Sequence, residues 1–144
     1  MTSGPVHDLL GPAAPVEPLR AVLRRILDDA IGVSGAVVCT ADGMLVAAEL
    51  RGGAPQPAAY QPEAVAALAA AAAGVAIRFA HLLTLGDTVA TVVDGARGCV
   101  AVQELPGHGV LVLFGNEGTT LARLHLAVRQ AVPAVMEVLR ENLR

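Results

Sequence analysis

Pro62 to Leu83 is a stretch of helical pattern with almost no charge, and that constrains this chain more than anything else in it. No Asp, Glu, Lys or Arg occurs between Glu63 and Arg78. Val65, Leu68, Ala72, Val75, Phe79 and Leu82 recur at alternating spacings of three and four, which is one stripe of a helix. The expectation is that this stripe faces the protein's own core. The remaining faces carry Ala66, Ala67, Ala69, Ala70, Ala71, Ala73, Gly74, Ile77 and Ala80, where a surface helix of a monomer carries charges. A helix that is apolar all round is covered on more than one side. In a chain of 144 residues the simplest second cover is another chain.

That length fits one domain with one core. Apolar residues make up 54% of the chain and aromatics only 2%, so the core is built from Ala, Val and Leu. All ten basic residues are Arg, they are scattered, and the formal net charge is −3. That distribution is no nucleic-acid footprint. Met1 to Gly11 lacks the basic start and apolar run of an export signal. No apolar run is read as reaching the ~18–20 residues of a bilayer span, so no membrane insertion is expected. Cys39 and Cys99 fall in predicted strands and read as reduced, buried thiols of a cytoplasmic protein.

Residues 1–16, with Pro5, Gly11, Pro12 and Pro15, read as a flexible tail ahead of a domain over 17–142. Glu17-Pro18 starts an amphipathic helix with Leu19, Val22, Leu23, Ile26 and Leu27 on one face, ending near Gly32. Val33–Thr40 and Met44–Leu50 are strands joined by the hairpin turn Ala41-Asp42-Gly43. After the unusual helix, strands are expected over Leu85–Val93, Cys99–Leu105 and Val110–Gly115, the first irregular at Gly86-Asp87. A last helix runs from about Thr119 to Asn142, and Pro133 should kink it or mark a boundary. Short strand-to-strand links make those pairs antiparallel. The fold class is therefore α+β: a single antiparallel five-stranded sheet with helices packed on it, in the order α-β-β-α-β-β-β-α.

Catalytic groups do not assemble from this pattern. Ser3 lies in the tail, and Ser34 has no nucleophile-elbow pattern around it. Cys39 and Cys99 could pair with His81, His108 or His125, but no motif links a thiol to an activating base. Asp42-Gly43 and Asp94-Gly95 lack the repeated acids and distal Glu of a calcium loop and read as turns. No Cys or His stands at metal-ligand spacing, and Gly107-His108-Gly109 is no phosphate cradle. No catalytic residue, metal or cofactor is assigned. Arg78, which ends the uncharged run, could meet a partner's carboxylates or phosphates, or could be a solvated helix-end charge.

The first hairpin, Val33-Ser34-Gly35-Ala36-Val37-Val38 followed by Ala41-Asp42-Gly43-Met44-Leu45-Val46-Ala47, resembles the opening of the roadblock family of dynein light chains and their bacterial MglB-like and actinobacterial relatives. The Ala-rich second helix, the Gly98–Val102 and Gly109–Leu113 strands and the Leu121-Ala122-Arg123-Leu124 helix fit the same pattern over about Leu19 to Leu139. The resemblance implies a homodimer, or a heterodimer with a related chain, in which second helices lie side by side and third strands pair. It places Ala66, Ala69, Ala70, Ala73, Gly74, Ile77 and Arg78 at a dimer or partner interface, and makes Thr88 to Val93, with Thr88, Ala90 and Val92, the pairing strand. It further implies a non-catalytic regulator or scaffold of a small Ras-like GTPase. Arg51 and Arg97 are the arginines in Gly-flanked loops, and Arg97 is the better candidate for a GTPase contact. The alternatives are an adaptor that dimerises with itself or a sister chain without a GTPase, and a small hydrolase or thiol enzyme.

Overall fold

The computed structural model describes residues 16–54 and 56–141. Its elements are α1 (Val16–Asp29), β1 (Gly35–Cys39), β2 (Leu45–Leu50), α2 (Pro62–Leu82), β3 (Thr91–Gly95), β4 (Gly98–Leu105), β5 (Gly109–Asn116) and α3 (Leu121–Glu141). The expected order of elements is the observed one. The five strands form one sheet in the order β2-β1-β5-β4-β3, every neighbouring pair antiparallel. The expected N-terminal tail lies outside the described residues, apart from Val16, which opens α1.

Helices cover both faces of the sheet, and that explains the strands. All five residues of β1 are buried, as befits a central strand covered on both sides. Ala36, Val38, Leu111 and Leu113 point to the face covered by α1 and α3, where Leu19, Leu23, Leu124 and Val135 complete the larger core. Val37, Cys39, Val102, Val110 and Val112 point to the other face, which α2 covers. Alternation along the strand sorts these residues to the two sides.

α1 is fastened to the edge strand β2 by charge. The Arg20 Nε lies 2.6 Å, and an Arg24 guanidinium nitrogen 3.2 Å, from the same Glu49 carboxylate oxygen. The Arg24 guanidinium also meets Glu17 at 2.9 Å. The β1–β2 turn closes as its residues require: Gly43 takes φ +92°, and the Met44 N–H donates to the Thr40 hydroxyl at 2.9 Å. A side chain at Gly43 would also press on α2, since a Cβ there would stand 3.2 Å from the Ala67 Cα. Pro133 ends no helix: α3 runs through it to Glu141, and the ring lies exposed, where water can meet the carbonyl that its missing N–H leaves free.

Two expectations about length change. β3 begins at Thr91 and not at Leu85, so Thr88 and Ala90 precede the strand. α2 is a 21-residue helix whose apolar stretch has a mean hydropathy of 1.7, long and apolar enough to cross a membrane by length and composition alone. Here one side of that helix lies on the sheet.

Candidate functional site

α2 enters the domain through Pro62 in its first turn, where the missing N–H costs no helical hydrogen bond. Ala66, Ala69, Ala73 and Ala80 form its buried side. They meet the Val-lined sheet face, and the Cys39 thiol donates to the Ala66 carbonyl at 3.5 Å. Alanines let the helix lie close to a sheet whose own side chains already fill the space between them.

This reverses the expected orientation. The larger side chains of α2 face outward: Leu68 is 71% exposed, Phe79 58% and Leu82 80%. Two stripes share the helical period in this sequence, one small and one large, and period alone does not say which is inward. Valines on the sheet select the small stripe. Ala66, Ala69 and Ala73 are therefore taken up by their own core and offer no surface to a partner. Ala70 is half-buried beside the β1–β2 turn, its Cβ 3.4 Å from where a Cβ on Gly43 would stand. Gly74, Ile77 and Arg78 are exposed. Thr88 and Ala90 are half-buried in the segment before β3, and Val92 is exposed on the strand. Thr88 is held by a side chain: its carbonyl accepts from the Gln103 Nε2 at 3.1 Å.

What sequence reasoning did not find is the continuous apolar surface these placements create. Leu68, Val75, Phe79 and Leu82 on α2 continue into Leu83, Leu85 and Val89 on the connection, and into Val93 on β3, all more than half exposed. With Val92 they make nine exposed large apolar side chains on one surface, where a monomer usually scatters such residues singly. β3 is also an edge strand with one free side. Thr91-Val92-Val93 carries no charge or Pro to discourage pairing, and Asp94 is the first charge after it.

Two hollows flank the larger stripe. One, of about 460 Å³, is lined by Tyr60, Val65, Leu68, Ala72, Val93, Val100 and Phe114 among others. The Tyr60 and Phe114 rings sit 5.6 Å apart there, and the buried Tyr60 hydroxyl has no hydrogen-bond partner. The other, of about 540 Å³, runs along Ala72, Val75, Phe79 and Ala80 to Leu85, Val89 and Thr91.

The polar candidates are dispersed. Burial, and then the nearby Asp42 charge, push the Cys39 thiol up to about 11, far from a reactive thiolate. Cys99 is raised as well, by burial and Asp94. The thiols lie on opposite faces of the sheet. The Ser34 N–H donates to the Phe114 carbonyl at 2.8 Å and its side chain is buried. The His108 Nδ1 stands 3.0 Å from the Pro106 carbonyl. Among the described residues no three His, Cys, Asp or Glu side chains gather as metal ligands. The two loop arginines part company. The Arg51 guanidinium donates to the carbonyls of Val33, Leu27 and Ala30, capping the end of α1, and is not free to project. Arg97 is exposed in the β3–β4 turn.

No family model matches the chain. Two uncharacterized proteins of Methanocaldococcus jannaschii are each 27% identical over 104 residues, spanning 72% of this chain and 85% of theirs. Among solved structures, an MglB with a tetrameric arrangement superposes with a TM-score of 0.78 at 27% identity, covering 90% of this chain and 93% of that one. The gliding protein MglB of Thermus thermophilus gives 0.77 at 27% identity, covering 89% and 93%. A Roadblock/LC7 domain from Streptomyces avermitilis gives 0.68 at 18% identity, covering 83% and 96%, a likeness of fold alone.

Proposed function

The chain is a protein of the roadblock fold, and from that premise we propose that it is a dimeric, non-catalytic regulator of a small Ras-like GTPase. The observation that carries this reading is the outward, uncharged stripe of α2 running into the free edge of β3. A surface so apolar and uncharged is one that a protein partner covers. The likeness to MglB structures supports an assembly of roadblock chains, and the family resemblance supplies the GTPase.

Two copies joined through β3 and the larger stripe of α2 would present a common face made of both second helices. Arg78 stands exposed on that helix, and Arg97 stands exposed beside the joined edges. A GTPase docked on this face would have its switch loops held in one arrangement, which changes hydrolysis or exchange without a catalytic group from this chain. Of the two loop arginines, Arg97 is the one free to contact the GTPase surface. A reducing compartment suits the two free thiols, so we place the protein in the cytoplasm.

The test is affinity capture from native lysate on the tagged chain, with GDP and a non-hydrolysable GTP analogue in parallel. A small GTPase retained in one nucleotide state, and lost with Phe79→Glu, is the expected result. Recovery of only this chain or a sister roadblock chain, whatever the nucleotide, would replace the regulator with an adaptor.

A further inference from the structure

β4 runs on past β3. The β3–β4 ladder begins at Thr91–Val102, whereas β4 continues to Leu105 and pairs Gln103, Glu104 and Leu105 with β5. The same register carried back would set Ala90 opposite Gln103, Val89 opposite Glu104 and Thr88 opposite Leu105. Pairs in an antiparallel ladder alternate between hydrogen-bonded and not, and the pair closing the tight Ala96-Arg97 turn, Gly95–Gly98, is a bonded one. Counting back by twos through Val93–Val100 and Thr91–Val102, the missing rung is Val89–Glu104.

The Gln103 side chain stands where that rung would form. Its Nε2 donates to the Thr88 carbonyl at 3.1 Å and to the Glu104 carbonyl at 3.0 Å. The Glu104 carbonyl is the acceptor that the Val89 N–H would use. The Gln103 Oε1 is buried with no hydrogen-bond partner, a cost of this arrangement. The connection is loosely packed as well. A hollow of about 540 Å³ lies between Leu85 and Val89 and the Val75 and Phe79 of α2, and one of about 350 Å³ lies among His81, Asp87, Thr88 and Glu104. Thr84, a β-branched residue, holds φ +55°, and Gly86 takes φ +82°, so the chain leaves α2 through a strained turn beside a permissive hinge.

We infer that residues 88–90 are a strap which the Gln103 amide holds off β4, and that release of this amide zips Val89 onto Glu104 and lengthens β3 from Thr91–Gly95 to Thr88–Gly95. The side chains permit this. Val89 would keep to the α2 face with Thr91 and Val93, and Ala90 would set only a methyl beside Gln103. The consequence lies at the free edge. Thr91, Val93 and Gly95 turn their backbone groups to β4, so Val92 and Asp94 offer theirs outward. Extension adds Thr88 and Ala90 to that row and frees the Thr88 carbonyl from Gln103. A strand laid along the edge gains those groups only in the extended state, so it draws the strap closed. The switch is a property of this chain by itself; its use rests on the reading above that a partner meets β3.

Amide hydrogen exchange, read residue by residue by NMR, tests the strap. The parent is the full chain carrying Phe79→Glu, at a concentration where it sediments as a single chain, so that the edge of β3 is free. Gln103→Leu keeps the bulk of the side chain and removes the donor. It should slow exchange at Val89 and Glu104 about 10-fold or more, with Val93 and Val102 unchanged. Adding Val89→Pro removes the donor of the new rung, and the Glu104 amide should return to the parent rate. Gln103→Val, a better strand former, should act as Gln103→Leu does and stands in for it if leucine distorts β4. If Gln103 only braces the connection, its loss leaves both amides as fast as before or faster, which overturns the strap. A Glu104 amide that stays protected in the Val89→Pro variant overturns it too. A lysate capture that retains no partner would remove the use of the switch and leave the exchange result standing.

Discussion

Arg51 is the residue whose place in the fold differs most from its appearance in the sequence. Between Leu50 and Gly52 it looks like a loop arginine free to reach a partner; in the structure its guanidinium joins the last carbonyls of α1 to the Val33 carbonyl at the entry to β1. Arg51→Ala should leave those acceptors short and lower stability by about 1–3 kcal/mol, read as a shift of the urea midpoint at constant slope. Nothing local in the sequence announces this role, because the acceptors lie 18 to 24 positions away. Cys39 was legible: an apolar strand position is a buried one. Its thiol, ordinarily at 9.0, is raised to about 11 in the fold, so the unfolded chain ionises first. Below pH 9 this thiol has no effect on stability, between 9 and 11 stability falls as pH rises, and above 11 the loss levels off. Denaturation midpoints over that range should flatten in a Cys39→Ala variant. At Gly109, φ is +124° and a Cβ would overlap the Cys39 carbonyl oxygen, so Gly109→Ala should cost far more than the Arg51 change in the same assay.

Each face of α2 predicts a different defect. Ala73 lies 6% exposed against the sheet, and Ala73→Leu should overpack that contact, costing about 1–3 kcal/mol of stability. Phe79 is exposed, so Phe79→Glu should leave the melting of the isolated fold and its far-ultraviolet dichroism nearly unchanged while weakening self-association about 100-fold or more, as the loss of a central aromatic anchor does. If both variants lost stability and neither lost association, the assignment of faces would be reversed. The sequence made the existence and limits of this helix plain, through Pro62 and an unbroken 3.6-residue period, and it showed that one side could not be enough cover. Which stripe faced inward was not readable, because the choice depends on the valines of β1, β4 and β5 arriving from elsewhere in the chain. The same long-range dependence shortens β3: a run of β-forming residues from Leu85 was legible, but Gly86 at φ +82°, Thr84 at φ +55° and the Gln103 side chain on Thr88 delay the ladder until Thr91. The resemblance places Ala70 at the interface, where an arginine would be expected to disrupt it. Its place against the β1–β2 turn makes Phe79 the sharper probe.

At the scale of the molecule, short links fixed the antiparallel sheet and the order of elements fixed the fold, because few topologies accommodate two hairpin-linked strand groups separated by one helix. The two-sided covering follows from β1, whose five residues carry no polar alternation. What leaves the domain a surface for a partner is an asymmetry between its faces. α1 and α3 together cover one face of the sheet, whereas α2 alone lies on the other, leaving Val93, Val100 and Phe114 at the floor of an open hollow and β3 with a free edge. A second copy docked there, as proposed, would close both openings at once. The most direct measurement is sedimentation velocity of the wild-type chain and of Phe79→Glu at micromolar concentration. The account predicts a wild-type species of twice the 14.6 kDa chain mass and a Phe79→Glu species of one chain mass. A monomeric wild-type chain, or a dimer indifferent to Phe79→Glu, would contradict it.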